Sequence, residues 1–330
     1  MVKLKVVDLM HSEDEFFHSV YDGYIDYGRF EVVRAGKGRS EEDICRLVED
    51  AVILLSDPLH IVKVTKKIIE AGKKLRLIQC HTVGYDDIDI KAARGRGIPV
   101  ANSAGVNSNT IAEYVIMAAL YLLKPIRYAH SELKEGRWAQ EEIATQPNLT
   151  PQELAAKTLG IIGCGNIGQE VARHARTFGT RVLYHNRNRL PEKIEQRLGI
   201  EYSSLDGILR SSDILSINLP LTDQTRGMIG AEEIAKMKPG AILINTARGG
   251  IVDESALAEA LKHGRLKGAA FDVFEDEPNI RDCPMLEMEN VLLTPHISGV
   301  SPEVIKRVPP KVVENLNRIY KGEPPLRVVN

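Results

Sequence analysis

The sequence predicts an α/β protein with two domains, each built on a parallel β-sheet. Its 330 residues exceed the roughly 150 residues of an average domain about twofold. Short apolar runs alternate with helical patterns along nearly the whole chain, which is typical of strands joined by crossover helices. These runs fall into two consecutive series. We therefore expect two doubly wound sheets, each covered by helices on both faces.

The first series contains four predicted strands and two predicted helices. The strands are short and largely apolar, as buried parallel strands are. They are Leu4–Leu9, Ala51–Leu55, Leu75–Cys80 and Ile98–Ala101. The two helices, indicated by apolar residues at helical spacing, are Ile61–Ala71 and Ile88–Arg96.

The second series contains six predicted strands and follows the longest helical pattern, Asn109–Lys124. The strands are Thr158–Gly163, Arg181–His185, Asp213–Asn218, Ala241–Asn245, Ala269–Val273 and Val291–Thr294. A last helix is predicted at Val304–Tyr320. The polar segment Glu141–Pro151 contains two prolines and is predicted to be a loop, and Trp138 is expected to pack against a loop.

The composition excludes several classes of partner. The chain has 43 Lys and Arg against 45 Asp and Glu, for a net charge of −2, whereas nucleic-acid binders usually carry a basic surplus. The four cysteines are isolated, so we expect no disulfide framework and no metal site. The apolar segments fall short of the ~20 residues that span a bilayer, and no signal peptide is apparent. We expect a soluble cytoplasmic protein with a small-molecule partner.

The strongest local signal is the motif Gly163-x-Gly165-x-x-Gly168. It follows an apolar strand and opens a helix that begins with Asn166 and Ile167 and runs to about Phe178. Glycines at this spacing allow a tight turn and the close approach of a pyrophosphate to a helix N-terminus. With a strand before and a helix and strand after, the motif predicts dinucleotide binding. Cys164 inside the turn is either a small apolar filler or an oxidation-sensitive thiol.

The residues after the next strand favour NADP over NAD. An NAD site usually has Asp or Glu at this strand end to hold the ribose 2′-hydroxyl, whereas this chain has Asn186. The missing carboxylate and the following Arg187 favour a 2′-phosphate, which pairs well with guanidinium. NAD, or use of both cofactors, is the alternative.

Three segments with reactive side chains follow consecutive predicted strands. Arg248 follows the first strand, the carboxylates Glu275, Asp276 and Glu277 follow the second, and His296 follows the third. Because ligands bind outside the carboxyl ends of strands in an open parallel sheet, we expect the three segments to converge. An arginine that holds a carboxylate, a histidine that moves a proton and an acid that tunes the histidine form a coherent catalytic set.

The chain resembles the D-isomer-specific 2-hydroxyacid dehydrogenase family, which includes glyoxylate/hydroxypyruvate reductases and phosphoglycerate dehydrogenase. Besides the glycine motif and the strand ends, the resemblance rests on Val83-Gly-Tyr-Asp-Asp-Ile-Asp89, Gly97-Ile-Pro-Val-Ala-Asn102 and Ala112-Glu113. These motifs stand in the family's order and extend over nearly the whole chain. Several ordered motifs are far more specific than one glycine turn.

The resemblance implies a role for individual residues. Arg248 would bind the substrate carboxylate together with the backbone amides of Val83 and Gly84. His296 would be the acid/base, and Glu277, rather than its two acidic neighbours, would pair with it. The implied cofactor contacts are Gly163, Gly165, Asn166, Ile167, Gly168, Asn186, Arg187, Leu219, Pro220, Thr225, Thr246, Ala247, Asp272, His296 and Gly299, with Asp272 facing the nicotinamide.

The resemblance also implies a domain map and a reaction. A Rossmann nucleotide-binding domain, residues 104–300, would be inserted into a flavodoxin-like substrate-binding domain made of residues 1–103 and 301–330. The family is usually dimeric through the nucleotide-binding domain, so we expect a homodimer. The implied reaction is hydride transfer between the nicotinamide cofactor and a small 2-keto or 2-hydroxy acid, with glyoxylate or hydroxypyruvate as the expected substrate.

Other functions remain open at this point. Phosphoglycerate, formate and phosphite dehydrogenases share the family, and some relatives of the fold are nucleotide-sensing scaffolds or co-repressors. The chain stops at Asn330 without the regulatory domains of many phosphoglycerate dehydrogenases, which weighs against that substrate. After His296 it has Ile-Ser-Gly-Val-Ser301 where relatives carry a Gly-rich stretch, a departure that affects the expected packing of the nicotinamide.

Overall fold

The computed structural model describes residues 3–330 and forms two compact units. Unit 1 consists of the described residues up to Asn107 together with Val300–Asn330, and unit 2 is the intervening Ser108–Gly299. Each unit contains one sheet whose neighbouring strands are parallel. The predicted α/β fold class is therefore confirmed. The assignment of the two predicted domains to substrate and cofactor stays a prediction.

Unit 1 has a five-stranded sheet with the strand order β2-β1-β3-β4-β5. This is the strand order of flavodoxin-like sheets, in which β2 is added on one side of β1 and the later strands are added on the other side. The strands are β1 Leu4–Asp8, β2 Phe30–Arg34, β3 Ile53–Leu55, β4 Leu77–Gln79 and β5 Val100–Ala101. The helices are α1 Asp14–Tyr21, α2 Glu41–Val48, α3 Lys66–Ala71, α4 Ile90–Gly95 and, from the end of the chain, α13 Pro302–Lys321.

Two apolar layers cover the faces of this sheet. On one face, Ile44 of α2 and Ile68 of α3 belong to a buried cluster with strand residues such as Leu54. On the other face, Phe17 of α1 and Leu316 of α13 are buried together with the neighbouring strand residues. Because both faces are covered, β3 and β5 are apolar throughout, which is the pattern on which their prediction rested.

Unit 2 has a seven-stranded sheet with the order β12-β11-β10-β9-β6-β7-β8. The strands are β6 Thr158–Ile162, β7 Arg181–His185, β8 Glu201–Tyr202, β9 Ile214–Ile217, β10 Ala241–Asn245, β11 Leu266–Phe271 and β12 Val291–Leu293. The helices are α5 Ser108–Leu123, α6 Ile126–Lys134, α7 Gln140–Thr145, α8 Asn166–Thr177, α9 Glu192–Leu198, α10 Leu205–Ser211, α11 Ala231–Lys236 and α12 Glu254–Lys262. The direction of strand addition reverses between β6 and β9, which is where dinucleotides bind in Rossmann sheets.

The long apolar helix α5 packs against the helix that follows the glycine motif. Ile111 and Val115 of α5 are buried in one cluster with Val171 and Ala172 of α8. Contact with α8 and the sheet accounts for the apolar character of α5. Within residues 3–330, no helix is both long and apolar enough to cross a membrane.

Several helices and strands were missed or misplaced in the prediction from the sequence. No bounds were predicted from the sequence for the strands β2 and β8 or for the helices α1, α2, α6, α9, α10, α11 and α12. The helix predicted from Ile61 begins only at Lys66, because the Asp57 carboxylate accepts bonds from the amides of Ile61 and Val62 and keeps that segment outside the helix. The loop predicted for Glu141–Pro151 was wrong in its first part, where α7 forms a short helix with no buried residue. Trp138 does not pack against a loop but is 78% exposed.

Candidate active site

The three reactive segments follow three adjacent strands of unit 2. Strands β10, β11 and β12 are neighbours in the sheet, and their carboxyl ends are Asn245, Phe271 and Leu293. The segments with Arg248, Glu277 and His296 therefore begin side by side at one edge of the sheet. This placement agrees with the prediction that the three segments converge.

His296 and Glu277 form a direct pair. The Nδ1 atom of His296 lies 2.7 Å from Oε2 of Glu277, and the other carboxylate oxygen accepts a 2.6 Å bond from the amide of Phe274. His296 has a φ of +53°, which a non-glycine residue rarely adopts, and its amide donates to the carbonyl of Asp272 at 2.8 Å. Such backbone strain costs about 1–3 kcal/mol and is often found at functional sites.

The electrostatic surroundings keep Glu277 ionised. Burial alone would raise its pKa, but the bond from His296, the charges of His296 and Arg248 and the bond from Phe274 together lower the pKa below the usual value. Its acidic neighbour Glu275 has a different set of contacts, since it lies 3.7 Å from Arg226 and its amide donates to Glu254. Of the carboxylates after β11, the structure thus pairs Glu277 with the histidine.

Arg248 is held by a turn that the sequence analysis did not single out. The buried Asn245 donates from Nδ2 to the carbonyl of Arg248 at 3.0 Å and accepts from the amide of Ala247 at 3.1 Å. Nη1 of Arg248 donates to the carbonyl of Ala247 at 2.7 Å. Gly249 follows, where a Cβ atom would collide with the backbone of Phe274, so only glycine allows this turn to approach the segment that contains Glu277.

Asp272 supports the turn of His296 through both carboxylate oxygens. Its side chain is completely buried and accepts bonds from the amides of Ile297 and Ser298, each at 2.8 Å, and from the hydroxyl of Thr294 at 2.6 Å. The hydroxyl of Tyr114 lies 2.6 Å from the same threonine oxygen. The family resemblance implies that Asp272 faces the nicotinamide, and its bonds to this turn were not predicted from the sequence.

The glycine motif forms the predicted turn between β6 and α8. Gly163 has a φ of +92°, and a Cβ atom there would lie 2.5 Å from the carbonyl oxygen of Asn218. A Cβ atom at Gly168 would lie 2.5 Å from the carbonyl oxygen of Gly163. At Gly165, in contrast, a Cβ atom would meet no protein atom within 4 Å. The first and last glycines are required by the protein itself, whereas the middle one borders open space.

Asn186 and Cys164 are tied together inside this turn. The amide of Cys164 donates to Oδ1 of Asn186 at 2.6 Å, so the asparagine stabilises the turn from the end of β7. Burial raises the pKa of the Cys164 thiol to about 12, so almost none of it is thiolate at neutral pH. Of the two interpretations of Cys164, this favours the apolar filler.

Arg187 and Arg189, which follow Asn186 in the sequence, differ in their hydrogen-bond partners. Arg189 donates two bonds of 2.8 Å to Glu195 and lies over the ring of Tyr202. Arg187 is exposed, and its Nη1 reaches Oε1 of Gln224 only at 3.4 Å. Arg187 is therefore the better candidate to meet a ligand.

The remaining predicted cofactor contacts lie around the turn and at the strand ends. Thr225 donates to the carbonyl of Pro220 at 2.7 Å, and the side chain of Leu219 borders the Cβ position of Gly163. Asn166 and Ile167 form the first turn of α8, and Gly299 ends unit 2 after the buried Ser298. Ala247 belongs to the Arg248 turn, and Thr246 precedes it.

These residues fit a nicotinamide dinucleotide. Two buried atoms, Oγ1 of Thr246 and Oδ1 of Asn218, have no hydrogen-bond partner in the described part of the chain. No side chain caps the N-terminus of α8, so its first amides are available to a pyrophosphate beside the open space at Gly165. Buried polar atoms usually have partners, so these two oxygens are available to a polar ligand.

In unit 1, the loop after β4 offers two backbone amides. The carbonyls of Thr82, Val83 and Gly84 accept bonds of 2.8–3.0 Å from the Ser103 amide, Asn102 Nδ2 and the Thr82 hydroxyl respectively. Within residues 3–330, the amides of Val83 and Gly84 donate no hydrogen bond. Consecutive amides without a protein partner are available to bind an anion. Residues 3–330 contain no group of three or more His, Cys, Asp or Glu side chains that could hold a metal ion.

Fold and site together define a class of enzyme. A Rossmann sheet with its glycine turn, and a histidine–carboxylate pair at the ends of neighbouring strands of that sheet, are features of nicotinamide-dependent oxidoreductases.

Comparison with known proteins identifies the family. Residues 116–298 match the profile described as "D-isomer specific 2-hydroxyacid dehydrogenase, NAD binding domain". The chain is 41% identical to a glyoxylate reductase from Korarchaeum cryptofilum, over 88% of this chain and 86% of the relative. It is 42% identical to a hydroxypyruvate reductase from Thermotoga maritima, over 84% of this chain and 87% of the relative. A solved glyoxylate reductase from Paecilomyes thermophila is 31% identical and superimposes with a TM-score of 0.85, covering 100% of this chain and 99% of the other. The chain belongs to the D-isomer specific 2-hydroxyacid dehydrogenase family.

Proposed function

We propose that this protein reduces a small 2-keto acid, glyoxylate or hydroxypyruvate, to the D-2-hydroxy acid with a reduced nicotinamide cofactor. The observation that carries the proposal is the 2.7 Å pair of His296 and Glu277 at the strand ends that also present Arg248. A pure scaffold has no need of a strained histidine bonded to an ionised carboxylate. The names of two relatives that are 41% and 42% identical, a glyoxylate reductase and a hydroxypyruvate reductase, support the choice of substrate.

In this proposal the protein's residues orient the substrate and supply one proton. The bound nicotinamide supplies the hydride to C2 of the keto acid. Glu277 accepts the Nδ1 hydrogen of His296, which fixes the ring, and Nε2 of His296 then donates its proton to the carbonyl oxygen. Arg248 binds the substrate carboxylate and stabilises negative charge on the carbonyl oxygen. The amides of Val83 and Gly84 are proposed as further donors to the carboxylate.

We further propose that NADPH is preferred. Asn186 places no negative charge at the end of β7, and its Oδ1 atom is already bonded to the turn. The exposed Arg187 is available for a 2′-phosphate, whereas Arg189 is bound to Glu195. A guanidinium without a competing carboxylate favours the phosphorylated cofactor.

We also propose that the protein is a homodimer in the cytoplasm. An apolar groove of about 350 Å³ lies in unit 2, lined by residues of α6 and α7 and by Trp138. Leu133 and Ile126 of α6 are each 57% exposed, and an apolar surface of this kind is typical of a subunit interface. A second copy of the chain is the proposed occupant. The four cysteines are free thiols, which is usual in the reducing cytoplasm.

Initial rates of cofactor oxidation test the proposal. Glyoxylate, hydroxypyruvate and 3-phosphohydroxypyruvate are each assayed with NADPH and with NADH, and formate and phosphite are assayed with the oxidised cofactors. We expect turnover of glyoxylate or hydroxypyruvate, faster with NADPH. Faster turnover with NADH would refute the cofactor preference alone. No turnover of any 2-keto acid, together with oxidation of formate or phosphite, would refute the proposed reaction.

A further inference from the structure

A chain of buried polar side chains in unit 1 lies outside the proposed catalytic set. Asp8 ends β1, Tyr21 ends α1 and His81 follows β4, and each is at most 2% exposed. Nε2 of His81 lies 3.0 Å from Oδ1 of Asp8, and Nδ1 of His81 lies 2.5 Å from the hydroxyl of Tyr21. Arg34, whose side chain is 9% exposed, donates from Nε to the other oxygen of Asp8 at 3.2 Å.

The donors and acceptors of this chain match one another. A carboxylate only accepts, so Nε2 of His81 bears the hydrogen that bonds to Asp8. Nδ1 of His81 then accepts the hydrogen of the Tyr21 hydroxyl. Burial raises the pKa of Tyr21 well above its usual value, so the hydroxyl stays protonated. Arg34 balances the charge of Asp8, and the ring of His81 is fixed at both nitrogens inside the core.

This chain continues directly into the loop with the two free amides. His81 is followed by Thr82, Val83 and Gly84, whose carbonyls are all bonded elsewhere. The position of the Val83 and Gly84 amides therefore depends on the backbone of His81 on one side. That backbone is fixed by a side chain that can neither rotate nor move without breaking buried hydrogen bonds, each of which is costly to leave unpaired.

We propose that Tyr21, His81 and Asp8 are positioning residues that aim the amides of Val83 and Gly84 at the substrate carboxylate. The inference rests on the proposed function, because it requires that these amides bind a 2-keto acid. None of the three side chains touches substrate. Loss of the chain weakens substrate binding, while hydride and proton transfer in the bound complex proceed nearly as before.

Tyr21→Phe is the first test, because it removes one hydroxyl and keeps the buried ring. We expect KM for the keto acid to rise roughly five- to tenfold, kcat to stay within about twofold, and KM for the cofactor to be unchanged. His81→Gln retains one donor and one acceptor, whereas His81→Leu retains neither. KM should therefore rise less in His81→Gln than in His81→Leu.

Val48→Ala is the matched control for lost stability. Val48 is fully buried in unit 1, on α2, and belongs to a different apolar cluster from Tyr21. This variant should unfold at lower temperature with KM unchanged. If Tyr21→Phe and His81→Leu also leave KM unchanged, or if all variants lose kcat in proportion to their stability, the positioning role is refuted.

A second measurement does not depend on turnover. Amide hydrogen exchange and backbone chemical shifts of Val83 and Gly84 are compared in wild type, Tyr21→Phe and Val48→Ala, with and without oxamate, a keto-acid analogue. We expect faster exchange at the two amides in Tyr21→Phe alone. If wild type turns over no keto acid but this difference is present, the proposed function fails and the positioning of the loop stands. Equal exchange in Tyr21→Phe and wild type refutes the positioning.

Discussion

Two glycines of the same turn are expected to respond to alanine in opposite ways. At Gly163 the backbone φ is +92° and a Cβ atom would lie 2.5 Å from the carbonyl oxygen of Asn218. At Gly165 the φ is −82° and a Cβ atom would meet no protein atom within 4 Å. Gly163→Ala therefore damages the protein itself. Gly165→Ala fills only the space in which we place the pyrophosphate.

The magnitudes follow from these contacts. In Gly163→Ala the left-handed backbone costs about 1–3 kcal/mol, and relief of the collision costs a further ~1–2 kcal/mol. For a unit of this size, that lowers Tm by roughly 5–15 °C. In Gly165→Ala the free energy of unfolding should change by less than about 1 kcal/mol, because the φ of −82° is not left-handed and the added Cβ atom would meet no protein atom. The affinity for NADPH should fall at least about tenfold, or ~1.4 kcal/mol.

Thermal unfolding without cofactor and calorimetric titration with NADPH measure the two effects separately. Wild type provides the reference for both, and Gly163→Ala is studied below its own Tm. The reasoning is refuted if Gly165→Ala binds NADPH as tightly as wild type, because the dinucleotide then does not approach this turn. It is also refuted if Gly163→Ala is as stable as wild type.

Four further predictions concern the cofactor, the proton donor and the subunit interface. Arg187→Ala should raise KM for NADPH roughly five- to tenfold and leave KM for NADH unchanged in initial-rate assays, because it removes the proposed charge-assisted bond to the 2′-phosphate. Equal effects on both cofactors would contradict this. Asp272→Asn should lower Tm and reduce kcat at least about tenfold, because an amide cannot accept all three bonds that hold the His296 turn; unchanged circular dichroism melting and kcat would contradict it. Because the pKa of Glu277 is lowered, its carboxylate stays ionised as the pH falls and is protonated only below that pKa. Glu277 should therefore cause no loss of kcat/KM on the acid side between about pH 5 and pH 8. A loss in that range that disappears in Glu277→Gln would contradict this. Trp138→Lys should convert the proposed dimer to a monomer in light scattering, and a dimeric variant would exclude this surface.

The sequence was informative where a local pattern has one physical cause. Buried parallel strands have an apolar centre, so β6, β7 and β10 were predicted with nearly correct ends. The glycine turn was equally clear, since backbone geometry requires Gly163 and Gly168. Elements with mixed burial gave no comparable signal. In β2 only Phe30 is buried, and the sequence analysis missed it.

Contacts between distant residues were beyond the reach of a local pattern. Asp8 and His81 are 73 residues apart, and neither stands in a motif that predicts their bond. Likewise, Asn245 and Thr294 support the turns of Arg248 and His296 through bonds that only the folded sheet reveals. Asn186 was predicted only as a cofactor contact, whereas its Oδ1 atom also stabilises the glycine turn.

The central claim is that His296 gives a proton to a keto acid while the nicotinamide reduces it. The most direct test is the single-turnover rate of NADPH oxidation with glyoxylate or hydroxypyruvate in wild type and in His296→Asn. Asparagine is a suitable replacement because it tolerates the φ of +53°. We predict that the variant binds NADPH normally and reacts about 10²–10⁴-fold more slowly. A variant that folds, binds NADPH and reacts as fast as wild type would contradict the claim.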